Sequence, residues 1–268
     1  MDEIYGELPN SPVVYAACDS KYFMDHAAPF VYSANDVGKN VHIHVCNPTQ
    51  EVLTKYGILN SDTDVKFSIS FNDLDLNTAG DHQGHVHPEA ERTYYACLRF
   101  LYLPIILRTS GQVLTLDIDC LVMKGFDYPK LPVGYFPREP LPNTNEWENK
   151  GTRVAAGVFY LNSDAQEVAD EISIDIEKGP FAWFLDQKVI SETMARIAPS
   201  FKHVFDNDFM DWEFREGTTV WTGKGSRKFD NPTYVNAKNK FDRYNSAKSR
   251  AFDGYESIDF EAEVRLTV

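Results

Sequence analysis

Short apolar runs, recurring between stretches of helical spacing, constrain this chain most. Pro12 to Ala17 (PVVYAA) is apolar without a break and ends at Cys18-Asp19-Ser20, which reads as a first, buried strand. From Tyr22 to Ala34 the residues Phe23, Ala27, Phe30 and Val31 fall at helical spacing, with Pro29 as a candidate kink. Asn40 to Cys46 (NVHIHVC) alternates and predicts a second strand. Pro48 opens a helix near Glu51 to Tyr56, and Val65 to Phe71 (VKFSISF) alternates again. This β-α-β-α-β opening predicts an α/β fold with a mostly parallel central sheet flanked by helices.

The second half continues in kind. Asp81 to Pro88 reads as a loop, and Glu89 to Leu107 as one long helix carrying Tyr94, Tyr95, Leu98, Leu101, Tyr102 and Ile105. A strand at 113–116 follows. Pro129 to Lys150, rich in Pro, Asn and Glu, predicts long irregular structure, and such loops are often functional. Val154 to Leu161 is another buried strand; Asp164 to Ile176 and Trp183 to Met194 are helical. From Phe201 the sequence predicts a less regular, loop-rich C-terminal part. No internal repeat or low-complexity linker divides the chain, so residues 1–268 are expected to form one domain.

Net charge is −14 and the pI about 4.9. That balance argues against a nucleic-acid backbone or an anionic membrane as the main partner. An anionic substrate would need local positive charge or a metal. Cys18, Cys46, Cys97 and Cys120 include no Cys-x-x-Cys pair and read as buried thiols in a reducing compartment. The segment Met1 to Glu7 lacks the basic and apolar regions of a signal peptide. The longest apolar candidate, Phe100 to Leu107, contains Pro104 and falls well short of the roughly 20 residues of a membrane span. A cytoplasmic protein without a membrane-spanning segment is expected.

Gly111 to Val122 (GQVLTLDIDCLV) carries the strongest chemical signal. Residues i and i+2 of an extended chain share a side, so Asp117 and Asp119 are expected to aim at one volume at the end of a strand. Two hard oxygen ligands suit Mg²⁺ or Mn²⁺, completed by substrate phosphates. Asp-x-Asp recurs at 62/64, 73/75 and 206/208, where solvated turns explain it. Only at 117/119 is the pair enclosed in an apolar run, where two charges are costly unless paired or metal-bound. A structural salt-bridged pair is the alternative.

Three further segments fall where a nucleotide-sugar site needs them. Ala16 and Ala17 would let a base and ribose approach the backbone, and Asp19 would accept their hydrogen bonds; an ordinary helix N-cap at Asp19 or Ser20 is the alternative. Arg99, among apolar neighbours, could hold a phosphate, neutralise Asp117 or form a plain ion pair. Val220 to Lys228 (VWTGKGSRK) interleaves two glycines with cations and is the most basic short run, suited to a pyrophosphate or to a solvated turn. His82, His85 and His87 have transition-metal spacing but lack a fourth ligand in their loop, which favours a polar loop near the entrance.

Taken in order, YAACDSKY, TYYACLRFLYLPIIL, VLTLDIDCLV, VAAGVFYLN, FLDQKVI and WTGKGSRK resemble the retaining GT-A glycosyltransferases of family 8, the group that contains glycogenin and bacterial lipopolysaccharide galactosyltransferases. The resemblance spans roughly Val13 to Lys228. It implies a Rossmann-like GT-A fold, with a nucleotide-binding half at about 12–125 and an acceptor half with the C-terminal loop at about 126–268. It also implies a Mn²⁺ (or Mg²⁺) cofactor, a UDP-sugar donor, and transfer with retention to an unidentified acceptor. Carried over by position, nucleotide contacts fall on Ala16, Ala17, Asp19 and Tyr22, and the donor-binding arginine on Arg99. The metal ligands fall on Asp117 and Asp119, the sugar-side Asp-Gln pair on Asp186 and Gln187, and the diphosphate contacts on Gly223 and Lys224, with Arg227 or Lys228 as substitutes. Family members usually carry Phe-Asn-Ala-Gly-Val where this chain has Val154-Ala155-Ala156-Gly157-Val158. The usual histidine ligand falls on Val220, which leaves His203, Asp208 or water as third ligand.

Rival readings are weaker. A haloacid-dehalogenase-type phosphohydrolase would carry its nucleophile on the first strand. A nucleotidyltransferase would need an N-terminal Gly-rich basic loop, where Ala16 to Tyr22 offers only Lys21. A non-catalytic nucleotide-sugar or glycan-binding protein could stack sugars on Trp147, Trp183, Trp212 or Trp221, although core packing explains tryptophans equally well.

Overall fold

The computed structural model describes residues 5–73, 90–138, 154–182, 184–197, 202–223 and 225–253. His82, His85, His87, Trp147, Trp183 and Lys224 lie outside the described residues. The first apolar run forms β2 (Val13–Asp19), buried from Val13 to Cys18. Val14, Ala16 and Cys18 enter one core cluster, Val13, Tyr15 and Ala17 the other. Successive strand residues face opposite sides, so an unbroken apolar run demands cover on both faces. Helices α1 (Ser20–Asp36) and α2 (Gln50–Ser61) contribute to the first cluster. The second draws on α3 (Ala90–Leu101), α4 (Leu103–Ser110), α5 (Gln166–Glu177) and α6 (Leu185–Arg196).

Among the described residues, the main sheet has eight strands. Their order is β1 (Tyr5–Gly6), β4 (Phe67–Asn72), β3 (Val41–Cys46), β2, β5 (Gln112–Leu116), β8 (Val154–Asn162), β7 (Val133–Pro137) and β9 (Lys202–Val204). Strands β4, β3, β2, β5, β7 and β9 run one way, and β1 and β8 the other. The mostly parallel α/β sheet expected from the sequence is therefore present. The chain leaves β2 on one side for β3 and β4, then returns to pair β5 on the other. Such a switch opens a crevice at the carboxyl ends of β2 and β5, where open α/β sheets bind ligands. A smaller sheet joins β6 (Cys120–Val122) to β11 (Val220–Thr222) and β10 (Met210–Asp211).

Several expectations need correction. The single helix over 89–107 is two, parted at Tyr102, because Pro104 has no N–H to donate and its ring crowds the preceding turn. By contrast, α1 runs through Pro29 as one helix. The irregular stretch from Pro129 contains β7, which the sheet recruits by pairing it with β8. The C-terminal part is loop-rich from Phe205 to Thr219, as expected, and also carries helices. It forms α7 (Arg227–Asp230), α8 (Pro232–Phe241) and α9 (Tyr244–Asp253). Asn231 caps α8, accepting from the N–H groups of Thr233 (2.9 Å) and Tyr234 (3.4 Å), and Pro232 occupies the first helical position.

The inward alternation of β3 and β4 has polar content. His42 Nδ1 and Nε2 lie 2.9 Å from the hydroxyls of Ser68 and Ser70. His44 Nδ1 is 2.8 Å from Ser70 Oγ, and Nε2 3.0 Å from Asn72 Oδ1. Burial holds the His42 imidazole well below its ordinary pKa and lowers His44 to about 4. The same imidazoles in an unfolded chain protonate near 6.5, so between those values the unfolded state binds more protons and stability falls as pH falls. His44 alone accounts for about 3 kcal/mol across that window. The urea midpoint is therefore expected to drop clearly between pH 7.5 and pH 5; equal midpoints would show that these histidines do not govern acid stability.

Candidate active site

The carboxyl ends of β2 and β5 define the site. At the end of β2, Asp19 Oδ1 accepts the N–H of Tyr22 at 2.7 Å and caps α1. Ala16 and Ala17 are buried in the sheet, while Tyr22 is 39% exposed beside them in sequence. Strand β5 stops at Leu116, and Cys120 N–H donates to Asp117 O at 3.0 Å. Asp117 and Asp119 thus sit on a turn between two sheets, not on one continuous strand. Extended geometry does not set their directions, because a turn carries both, and each meets a cation.

Asp117 faces Arg99, which lies in the last turn of α3 and is 5% exposed. Arg99 Nη1 is 2.5 Å from Asp117 Oδ1, and Nη2 is 3.4 Å from Asp186 Oδ2. Nη2 also donates to Ala156 O at 3.1 Å. One planar guanidinium therefore joins the turn after β5, β8 and α6, which a lysine could not do. Burial alone would lower the arginine pKa, but Asp117 and Asp186 outweigh it and the net shift is upward. Burial raises Asp186, against the pull of Arg99 and of the Gln187 N–H, 2.8 Å from Asp186 Oδ1. Gln187 uses its side chain elsewhere, accepting from Arg138 Nη1 at 2.8 Å. Gly157 lets the pair close on β8, since a Cβ there would lie 3.0 Å from Asp117 Oδ2.

Asp119 is held from the C-terminal segment. Lys228 Nζ is 2.8 Å from Asp119 Oδ2 and 3.3 Å from the Tyr22 hydroxyl. Tyr234 Oη donates to Asp119 O at 2.5 Å, and Gly223 N–H to the same oxygen at 3.3 Å. Burial would lower the Lys228 pKa, but the Asp119 carboxylate and its hydrogen bond leave it raised. Gly223 is required by space: a Cβ there would stand 2.8 Å from Lys228 Cβ and 2.9 Å from Tyr234 Cζ. Gly223→Ala is expected to push both groups away from Asp119 at a cost of about 1–3 kcal/mol, the range for overpacking. Thermal melting should show that loss; an unchanged melting temperature would mean the segment gives freely.

Sequence reasoning missed Arg138, Tyr234 and the partner of Gly157. The Asn231-Pro232 helix start could have pointed to Tyr234; nothing local marks Arg138. His203 and Asp208, offered as third ligands, line a cavity of about 600 Å³ with Phe205, Asp206 and Arg215. Asp208 O accepts Thr219 N–H beside Val220, where β11 begins, whereas the Thr222 end of β11 pairs with Cys120 beside Asp119. Strand β11 thus holds Asp208 away from the pair. Among the described residues, no three His, Cys, Asp or Glu side chains group as metal ligands. Also among the described residues, no helix is long and apolar enough to cross a membrane.

The chain matches no protein-family model and no curated protein sequence. Solved structures do resemble it. The galactosyltransferase LgtC, in complex with donor and acceptor sugar analogs, aligns at TM-score 0.56 and 15% identity over 92% of this chain and 98% of its own. WbbM, a bifunctional glycosyltransferase in its apo form, aligns at 0.56 and 13% over 91% of this chain, which spans 52% of WbbM. GlyE of Streptococcus pneumoniae TIGR4, a glycosyltransferase, aligns at 0.52 and 13% over 92% of this chain and 64% of its own. At these identities the likeness is one of fold, and it extends over nearly the whole chain: this protein has the fold of the GT-A glycosyltransferases.

Proposed function

We propose that the chain is a divalent-metal-dependent glycosyltransferase that takes a UDP-sugar and passes the sugar to a glycan, protein or small-molecule acceptor with retention. The observation that carries this reading is the placement of two carboxylates, Asp117 and Asp119, just after β5 in a GT-A fold, with the cations Arg99 and Lys228 beside them to meet an anionic donor. The donor set fits a Mn²⁺ or Mg²⁺ ion: two carboxylates supply hard oxygens, and phosphates of the donor fill the remaining positions. Asp117 and Asp119 would hold the ion, which when bound supplies Lewis-acid stabilisation to the leaving diphosphate.

The chain's own residues supply the rest. Arg99 fixes the Asp117 carboxylate and shields it from Asp186. Lys228 and the Gly223 backbone would meet the diphosphate, and Lys224, outside the described residues, is assigned there by the sequence resemblance alone. Ala16, Ala17, Asp19 and Tyr22 border the position of the base and ribose. Asp186 and Gln187 orient the sugar, Asp186 through its contact with Arg99 and Gln187 through Arg138. The nucleotide-binding half then covers about 12–125 and the acceptor half about 126–268. The four cysteines, all buried and in no disulfide, suit the reducing interior of a cell and support a cytoplasmic site of action.

The deciding experiment is UDP release from a panel of UDP-sugars without acceptor, in Mn²⁺, Mg²⁺ or EDTA. Metal-dependent release from one donor is the expected result and names the sugar. No release, together with no calorimetric binding of UDP and Mn²⁺, would overturn the reading; binding without release from any donor would favour the non-catalytic nucleotide-sugar binder.

A further inference from the structure

The two cations of the site are held very differently. Arg99 is buried within α3 and has three partners on three elements. Lys228 lies on a four-residue helix, α7, whose neighbours Ser226, Phe229 and Asp230 are exposed, Phe229 at 68%. The ammonium nevertheless reaches into the site, where the Lys228 and Asp119 side chains are each 11% exposed. The stem runs over Gly223, and the ammonium lies 4.9 Å from the Tyr22 ring centroid. The backbone of Asp119 is fixed by Tyr234 and Gly223 whether or not Lys228 is in place. An anchored carboxylate therefore meets a cation on a peripheral turn.

We propose that Lys228 is a tethered counter-ion that occupies Asp119 before substrate arrives and competes there with the divalent metal, so that metal binds tightly only once a nucleotide diphosphate has drawn the ammonium away. This deepens the reading of Asp117 and Asp119 as metal ligands and rests on it. The physical basis is simple. A carboxylate hydrogen-bonded to a partly desolvated ammonium must lose that bond, or share the charge, to accept a second cation. A diphosphate offers the ammonium equivalent anionic oxygens within the same site, which removes the cost. Metal and nucleotide then favour one another, and by linkage the coupling is reciprocal. Arg99 does not take part, because leaving Asp117 would also strand Asp186 and Ala156 O.

The test is calorimetry on the full chain with MnCl₂ alone, with UDP alone in EDTA, and with MnCl₂ in saturating UDP. Lys228→Met keeps the apolar stem over Gly223 and removes the charge; Lys228→Arg keeps the charge. We expect K228M to bind Mn²⁺ alone at least tenfold more tightly than the wild type and to bind UDP in EDTA at least tenfold more weakly. The Mn²⁺–UDP coupling should shrink accordingly, while K228R stays within about threefold of wild type for Mn²⁺ alone. If K228M binds Mn²⁺ alone no more tightly while Mn²⁺ with UDP still binds, the competition is overturned and the metal-dependent reading stands. A gain in K228R equal to that in K228M would also overturn it, because charge would not be the cause. If the wild type binds neither Mn²⁺ nor UDP, both readings fall together. Melting curves of both variants identify any loss of fold.

Discussion

Arg99→Met is expected to be the most destabilising single substitution at the site. It removes the guanidinium that joins Asp117 and Asp186 and takes from Asp186, 7% exposed, the cation it meets among the described residues. Breaking a buried pair from one side costs about 3–5 kcal/mol, and the partial exposure of Asp117 places the value near the lower end. For a chain of this size that is a fall in Tm of about 10 °C. Arg99→Lys should recover only part, since one ammonium cannot span Asp117, Asp186 and Ala156 O. A double variant adding Asp186→Leu should regain about 1 kcal/mol or more over Arg99→Met, because it removes the stranded charge. Thermal melts of the set would check this. A loss under 1 kcal/mol for Arg99→Met would mean that water or rearrangement compensates the two carboxylates.

Asp119→Asn is expected to have the largest effect on catalysis. It preserves volume and leaves the backbone carbonyl free to accept from Tyr234 and Gly223. It removes the charge that would hold the metal and that now holds Lys228. Turnover should fall by about 10³-fold or more, the scale on which a preorganised electrostatic contact acts. The remaining activity should no longer respond to Mn²⁺ or EDTA. Stability should fall by about 1–3 kcal/mol, the cost of a partly buried polar group losing its partner. The fold is therefore expected to persist, and circular dichroism would confirm it. Activity within threefold of wild type would remove Asp119 from the metal site.

The comparison of sequence and structure turns on which features are local. The doubly covered strand β2 is written in PVVYAA, and the cap of α1 in the Asp19 that follows it. The choice of Asp117 and Asp119 among several Asp-x-Asp pairs came from their apolar flanks alone, and the structure places both beside buried or partly buried cations. The end of β5 at Leu116 matches the strand expected at 113–116, whereas the separate strand β6 in a second sheet was not visible, since apolar residues simply continue to Val122. A segment that pairs a different sheet carries no mark of it in composition. The same holds for β7, which becomes a strand through its neighbour β8 and not through alternation of its own. Helix α8 was legible in Asn231-Pro232 but was outweighed by the polar composition around it.

By itself, then, the sequence determined the alternation of strands and helices, the two-faced burial of the central sheet, and the residues able to carry charge into the site. Each follows from spacing of about two or 3.6 residues, or from the cost of charge in an apolar run, and needs no distant partner. Tertiary structure alone decided the pairing: Arg99 meets Asp186 across 87 residues, Lys228 meets Asp119 across 109, and Tyr234 meets the Asp119 carbonyl across 115. Any of several cations could have neutralised either carboxylate, because Coulomb attraction is indifferent to sequence position. Only the path of the backbone, switching sides between β2 and β5 and folding β11 back against β6, settles which one arrives.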